Sequence, residues 1–215
     1  FLSSQLPQKT KDTYMHISEG VLSLPVLLTG AGLTAVGTAW ALKRLDYNQI
    51  PRTAILSSVF FVASLIHVPV GPSSMHLILN GLTGIILGPT CILAILVALF
   101  LQAVLFQFGG LTTLGVNTMI MAGPALICGL IFHALPVKFR KNILVNFCLG
   151  SLAVLGSGLL VAVSLACSGE AFLLAARLII MAHIPIMVVE GIIASLTVSF
   201  LYKVRPEMIE RGENG

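Results

Sequence analysis

Two ionisable side chains, His16 and Glu19, stand in the hexapeptide Met15-His16-Ile17-Ser18-Glu19-Gly20, directly against a long apolar run. A charge at a bilayer centre costs about 2.5 to 3.5 kcal/mol on insertion scales, so polar groups at such a border pair, ligate or face water. The five histidines are His16, His67, His76, His133 and His183. Neutral imidazoles with few carboxylates around them suit Ni, Cu, Zn or Co and disfavour Ca and Mg, which want oxygen. If Met15 is the first residue of the working chain, its α-amine, the backbone nitrogen of His16 and the His16 imidazole close two fused chelate rings around one cation. His76 could then supply a fourth nitrogen, and four nitrogens in a plane are the tetragonal arrangement of Ni(II) and Cu(II). The donors must be deprotonated, so binding is expected to weaken as pH falls through about 6.5 to 8. Residues 1 to 14 would make that amine an amide, and they are expected to be absent from the working protein. On the hexapeptide alone, a merely water-facing start to the first helix explains His16 and Glu19 equally well.

A second polar group falls inside the last apolar run, Ala182-His183-Ile184-Pro185-Ile186-Met187-Val188-Val189-Glu190-Gly191. Offsets of four and seven put His183, Met187 and Glu190 on one helical stripe, which should face the protein rather than lipid. A hydrogen bond from another helix is the expected partner for Glu190. His67 and His133 read as structural, the latter at an interface near Pro136 and Lys138. Four separated cysteines, Cys91, Cys128, Cys148 and Cys167, contain no C-x-x-C pair and read as inert small core residues.

These residues need a scaffold, and composition says which. Of 215 residues 57% are apolar and 9% charged, against about 25% charged in a typical soluble domain. Mean hydropathy is +1.02. Runs of about 20 uncharged residues between short polar breaks predict a polytopic all-α membrane bundle. A net charge of +4 would suggest nucleic acid in a soluble protein, but here Lys and Arg fall in short loops, where they orient the chain.

The expected spans are 21 to 42, 53 to 70, 76 to 88, 89 to 107, 114 to 136, 143 to 167 and 171 to 202. Leu77 to Phe106 is 30 residues without a charge, about 45 Å as one helix against a core of about 30 Å. Charge parity resolves it. Basic clusters at 43 to 52, at 138 to 141 and after 202 all favour the cytoplasm, so an even number of crossings separates the first two and Gly88-Pro89 must be a turn. Seven transmembrane helices follow, with the N-terminus outside and the C-terminus cytoplasmic. Residues 1 to 14 read as a polar tail, 15 to 204 as one membrane domain and 205 to 215 as a cytoplasmic tail. Breaks at Ser73-Ser74, before His76, and at Gly109 to Asn117 converge with His16 on the outer end, where irregular backbone can line a cavity. Ala31, Ala35 and Ala39 on the first span, and Gly150, Gly156 and Gly158 on the sixth, allow close helix approach.

Taken in order, several pieces resemble the CbiM/NikM family, the substrate-binding membrane subunits of energy-coupling-factor transporters for cobalt and nickel. They are Met15-His16-Ile17 with Glu19-Gly20, Ser73-Ser74-Met75-His76 leading to Leu87-Gly88-Pro89, Gly109 to Asn117, and Ile184-Pro185-Ile186 with Glu190-Gly191. The resemblance implies a seven-helix bundle in a bacterial plasma membrane, with the N-terminus buried among the helices. It implies a metal site from the Met15 amine, His16 and His76, transporting Co²⁺ or Ni²⁺ without a resident cofactor. Ser74, Thr112, Thr113, Asn117 and Glu190 would then line or support the pocket. It also implies partners: a small CbiN/NikN-type subunit, a CbiQ-type transmembrane coupling subunit and a pair of CbiO-type cytoplasmic ATPases. Ala31, Ala35 and Ala39 would meet the coupling subunit. The chain has no G-x-x-x-x-G-K-[ST], so ATP hydrolysis by the P-loop route falls to partners. An energy-independent metal channel is the alternative, but it needs a continuous polar path. No H-E-x-x-H or G-x-S-x-G supports an intramembrane enzyme.

Overall fold

Proline, glycine and charge punctuate the apolar runs, and the helices begin and end where they fall. The computed structural model describes residues 17, 19–70 and 73–209. Helix α1 (Leu24–Lys43) opens with Pro25 and closes on a basic residue, both favourable at those ends. Helix α2 (Ile50–Ala63) also starts on a proline, Pro51. A hairpin of β1 (His67–Val70) and β2 (Ser73–His76) follows, pairing His67 with His76. After it come α3 (Asn80–Leu87), a 3₁₀ turn at Gly88–Thr90, α4 (Cys91–Phe106), α5 (Leu114–Ala134), a four-residue α6 (Val137–Arg140), α7 (Ile143–Ala166) and α8 (Leu173–Val204). The Asn142 side chain caps α7, accepting from the Leu144 N–H at 2.9 Å.

Helix α3 sits at the centre, with all eight residues buried. It runs beside α5 in the same direction: Asn80 donates to the Met121 carbonyl at 3.2 Å, and the His133 Nε2–H reaches the Ile85 carbonyl at 2.9 Å. Gly84 makes this approach possible, because a Cβ there would collide with the Ala125 backbone. Helix α4 returns against α5, so Gly88-Pro89 is the expected turn. The long pair α7 and α8 packs antiparallel, with Gly150 against Ala194 and Gly158 against the His183 ring. Gly156 packs on Pro124 of α5, so all three glycines mark helix contacts.

Among the described residues five stretches are long and apolar enough to cross a membrane, Asn80–Phe106 counting as one. Helix α2 has 14 residues and α3 has eight, roughly 21 and 12 Å, short of a core of about 30 Å. Exposed Leu28, Val36, Leu105 and Phe200 are the lipid-facing surface such a bundle requires. Of the four cysteines expected in the core, Cys91 and Cys128 are buried, but Cys148 and Cys167 are exposed.

Two expected boundaries move. The span placed at 53 to 70 stops being helical at Ala63, and the one placed at 76 starts only at Asn80. Between them the chain forms the hairpin and then enters the bundle as non-helical Leu77, Ile78 and Leu79, all buried. Antiparallel pairing satisfies the hairpin's backbone without a helix.

The charged loops gather at one end. The Lys141 ammonium lies 5.4 Å over the Tyr202 ring, the Arg140 guanidinium donates to the Leu135 and His133 carbonyls, and Arg52 is within electrostatic reach of Glu207. At the opposite end the Ser23 N–H donates to Ser168 Oγ at 3.2 Å.

Candidate metal centre

The end away from the basic loops is built by the loop before α5 and the chain leading to α1. Asn117, in the first turn of α5, holds Ile17 by both backbone groups: Ile17 N–H donates to Asn117 Oδ1 and Asn117 Nδ2 donates to the Ile17 carbonyl, each at 3.2 Å. Asn117 also donates to Thr113 Oγ1 at 3.2 Å. Ile17 and Asn117 are both buried, so the chain ahead of α1 is anchored in the bundle at Ile17. Two residues on, Glu19 Oε1 accepts the Thr112 N–H at 3.1 Å. That backbone hydrogen bond, and a second from the Thr112 side chain, hold the Glu19 carboxyl below its ordinary range. Gly110 makes the contact possible, since a Cβ there would strike the Glu19 side chain.

His76 ends β2 and is buried. Its Nδ1 lies 2.9 Å from the Leu77 carbonyl, and a carbonyl only accepts, so Nδ1 carries the hydrogen and Nε2 the lone pair. In that neutral tautomer Nε2 is the nitrogen able to ligate a metal. Below it, Glu190 on α8 accepts from the Ile78 N–H and, at 2.9 to 3.0 Å, from the Leu79 N–H. The carboxylate thus satisfies the two backbone N–H groups that lead into α3, close to the helix N-terminus, where the dipole favours negative charge. His183 and Glu190 are buried and Met187 partly so, as the stripe on α8 required.

Met15 and His16 lie outside the described residues, as does the Ser74 side chain, so of the expected nitrogen donors only His76 is described. Among the described residues no three His, Cys, Asp or Glu side chains cluster closely enough to hold a metal ion. Thr113 and Asn117 meet beside Ile17, Thr112 meets Glu19, and Glu190 lies deeper. Ala31, Ala35 and Ala39 are exposed on α1.

Sequence reasoning missed Asn80 and the role of Glu19. Asn80 is fully buried and donates to the Met121 and Ala153 carbonyls and, at 2.8 Å, to Ser157 Oγ. An asparagine inside a 30-residue uncharged run was the available signal. A groove of about 940 Å³ between α1, α5 and α7 is lined mostly by apolar side chains such as Val26, Leu33, Ile127 and Leu160, with no histidine or carboxylate.

Residues 16–208 match the family described as "CbiM: Cobalt uptake substrate-specific transmembrane region". A "Putative metal transport protein" from Haemophilus influenzae is 41% identical over 204 residues, covering 93% of this chain and 99% of its own length. Two fused relatives are each 28% identical. A "Putative fused cobalt transport protein CbiMQ" from Methanocorpusculum labreanum covers 90% of this chain and 36% of itself. A "Putative fused nickel transport protein NikMN" from Archaeoglobus fulgidus covers 92% and 68%. The solved structure titled "Crystal Structure of an transition metal transporter" superposes with a TM-score of 0.76 at 26% identity, covering 88% of this chain and 93% of that one.

Proposed function

Because the chain belongs to the CbiM family of cobalt-uptake transmembrane proteins, we propose that it is the capture subunit of an ATP-driven importer and binds Co²⁺ or Ni²⁺ at the end of the bundle where Ile17 docks. It is a multi-pass plasma-membrane protein of cobalt and nickel transport. The observation that carries the finer reading is the clasp of Ile17 by Asn117. The peptide bond ties His16 to a buried, doubly hydrogen-bonded residue, at the end of the fold that also holds a buried His76 in a metal-ready tautomer. The Met15 amine, the His16 nitrogens and His76 Nε2 then form the donor set, with Glu190 fixing the backbone after His76. By the positive-inside rule the basic end is cytoplasmic and this site faces outward.

Partners follow from the same reading. The fused CbiMQ and NikMN relatives support CbiQ-type and NikN-type subunits as neighbours. The exposed alanines of α1 are the proposed contact with the coupling subunit, and a CbiO-type ATPase pair would supply the energy.

The test is equilibrium binding of Co²⁺ and Ni²⁺ to purified protein. Chain beginning at a free Met15 is expected to bind, and the same chain carrying residues 1 to 14, or with His16→Ala or His76→Ala, to lose binding. Equal affinity across all four would sink the nitrogen site.

A further inference from the structure

Pro124 lies inside α5. Having no N–H, it cannot donate to the Ile120 carbonyl four residues before it, as an ordinary helical residue would. The Ser157 hydroxyl of α7 takes that place and donates to the Ile120 carbonyl at 2.9 Å. Gly156 lets α7 come this close, since a Cβ there would crowd the Pro124 ring. The Ser157 oxygen in turn accepts from Asn80 Nδ2 at 2.8 Å. The same amide reaches the Met121 and Ala153 carbonyls at 3.2 and 3.3 Å, so its two hydrogens serve three acceptors. Asn80 and Ser157 are both fully buried. One joint of direct hydrogen bonds therefore ties α3, α5 and α7.

That joint lies between the two supports of the proposed cation site. Asn80 is the first residue of α3, and His76 stands four residues before it, on the chain that Glu190 holds by Ile78 and Leu79. Ile120 is three residues after Asn117, less than one turn of α5, and Asn117 holds Ile17. The start of α3 is also under constraint. Leu79 adopts a left-handed backbone, φ 54°, which a leucine keeps only where its surroundings impose it. Gly81 closes the other side, because a Cβ there would meet the Gly150 backbone and the Ala153 side chain of α7.

We infer that Asn80 and Ser157 are positioning residues for the cation, fixing the segment that carries His76 against the part of α5 that anchors Ile17. The inference rests on the function proposed above. Neither side chain is a ligand: each acts through the backbone it holds. A binding constellation must be kept within about 0.5 Å of its working geometry, and the chain Asn80–Ser157–Ile120 is a direct polar link between its two supports.

The experiment is hydrogen exchange of the metal-free full chain in detergent, read at the Ile17 and Leu79 amides, for Ser157→Ala against Asn146→Ala. Asn146 is buried and donates to the Arg140 carbonyl near the basic end, so its loss disturbs the bundle away from the site. Ser157→Ala is expected to speed exchange at both amides by roughly 3- to 10-fold, and Asn146→Ala to speed them no more than the rest of the bundle. Unchanged exchange in Ser157→Ala, or an equal response in Asn146→Ala, overturns the proposal. Should Ser157→Ala not fold, adding Pro124→Ala returns an N–H to the Ile120 carbonyl and is expected to restore folding; failure there overturns it as well. Cobalt is the second readout, on chain with a free Met15. Ser157→Ala is expected to weaken Co²⁺ binding by roughly 10-fold and to shift the visible absorption of the bound ion, which reports ligand geometry, while Asn146→Ala changes neither. An unaltered affinity and spectrum in Ser157→Ala overturns the positioning role. Unaltered protein that binds no Co²⁺ sinks the proposed function and with it the role toward a cation, and exchange of the metal-free chain then decides the joint by itself.

Discussion

Glu190 reaches across 111 residues of sequence to accept the Leu79 backbone N–H. Glu190 is 3% exposed, and by accepting the Ile78 N–H as well it satisfies the backbone at the point where non-helical chain becomes α3. Non-helical chain at membrane depth persists only where its polar groups find protein partners.

Removing that partner should be costly. Glu190→Ala leaves two buried N–H groups unpaired, a loss of about 2 to 6 kcal/mol at 1 to 3 kcal/mol each. Glu190→Gln keeps an accepting oxygen and is expected to lose about half as much. Thermal unfolding in detergent measures both, and an Ala variant as stable as the unaltered chain would show that α3 is held otherwise.

Asn117 tests the docking of Ile17. Asn117→Leu removes both hydrogen bonds to Ile17, worth about 0.5 to 1.5 kcal/mol each, so Co²⁺ affinity should fall by roughly 5- to 150-fold. Asn117→Asp can still accept from Ile17 N–H but cannot donate to its carbonyl, and should fall between. Titration calorimetry decides, and unchanged affinity in Asn117→Leu would separate the clasp from metal capture.

Glu19 gives a pH dependence with a definite sign. Hydrogen bonds from Thr112 lower its folded pKa below the ordinary 4.5. The contribution is therefore complete above pH 4.5 and is lost as pH falls through the lowered folded value. Hydrogen exchange at the Thr112 amide should accelerate, relative to its intrinsic rate, only in that acidic window. In Glu19→Gln the step should vanish; its persistence would point to another titrating group.

Gly84 tests the packing that positions α3. In Gly84→Ala the new methyl meets the Ala125 backbone, which cannot swing away, and overpacking of this kind costs about 1 to 3 kcal/mol. Gly123→Ala is the control, because the nearest atom to its Cβ is the Leu160 Cδ1 at 3.9 Å. That variant should be neutral or stabilising, as helical Gly→Ala is worth about 0.5 to 1 kcal/mol.

The sequence alone determined what local chemistry can determine. Uncharged runs of bilayer length gave the helices, clustered Lys and Arg gave a common end, and their parity made Gly88-Pro89 a turn. Offsets of four and seven turned His183, Met187 and Glu190 inward, because a helix repeats every 3.6 residues whatever surrounds it. Only the tertiary structure decided that residues 67 to 70 and 77 to 79 leave the helix, that Glu190 finds the backbone of Ile78 and Leu79, and that Asn117 finds Ile17. Those partners lie about 100 residues apart, and periodicity says which way a side chain faces but not what stands opposite. Donors and acceptors become partners only when packing excludes water and lipid and leaves each no other choice.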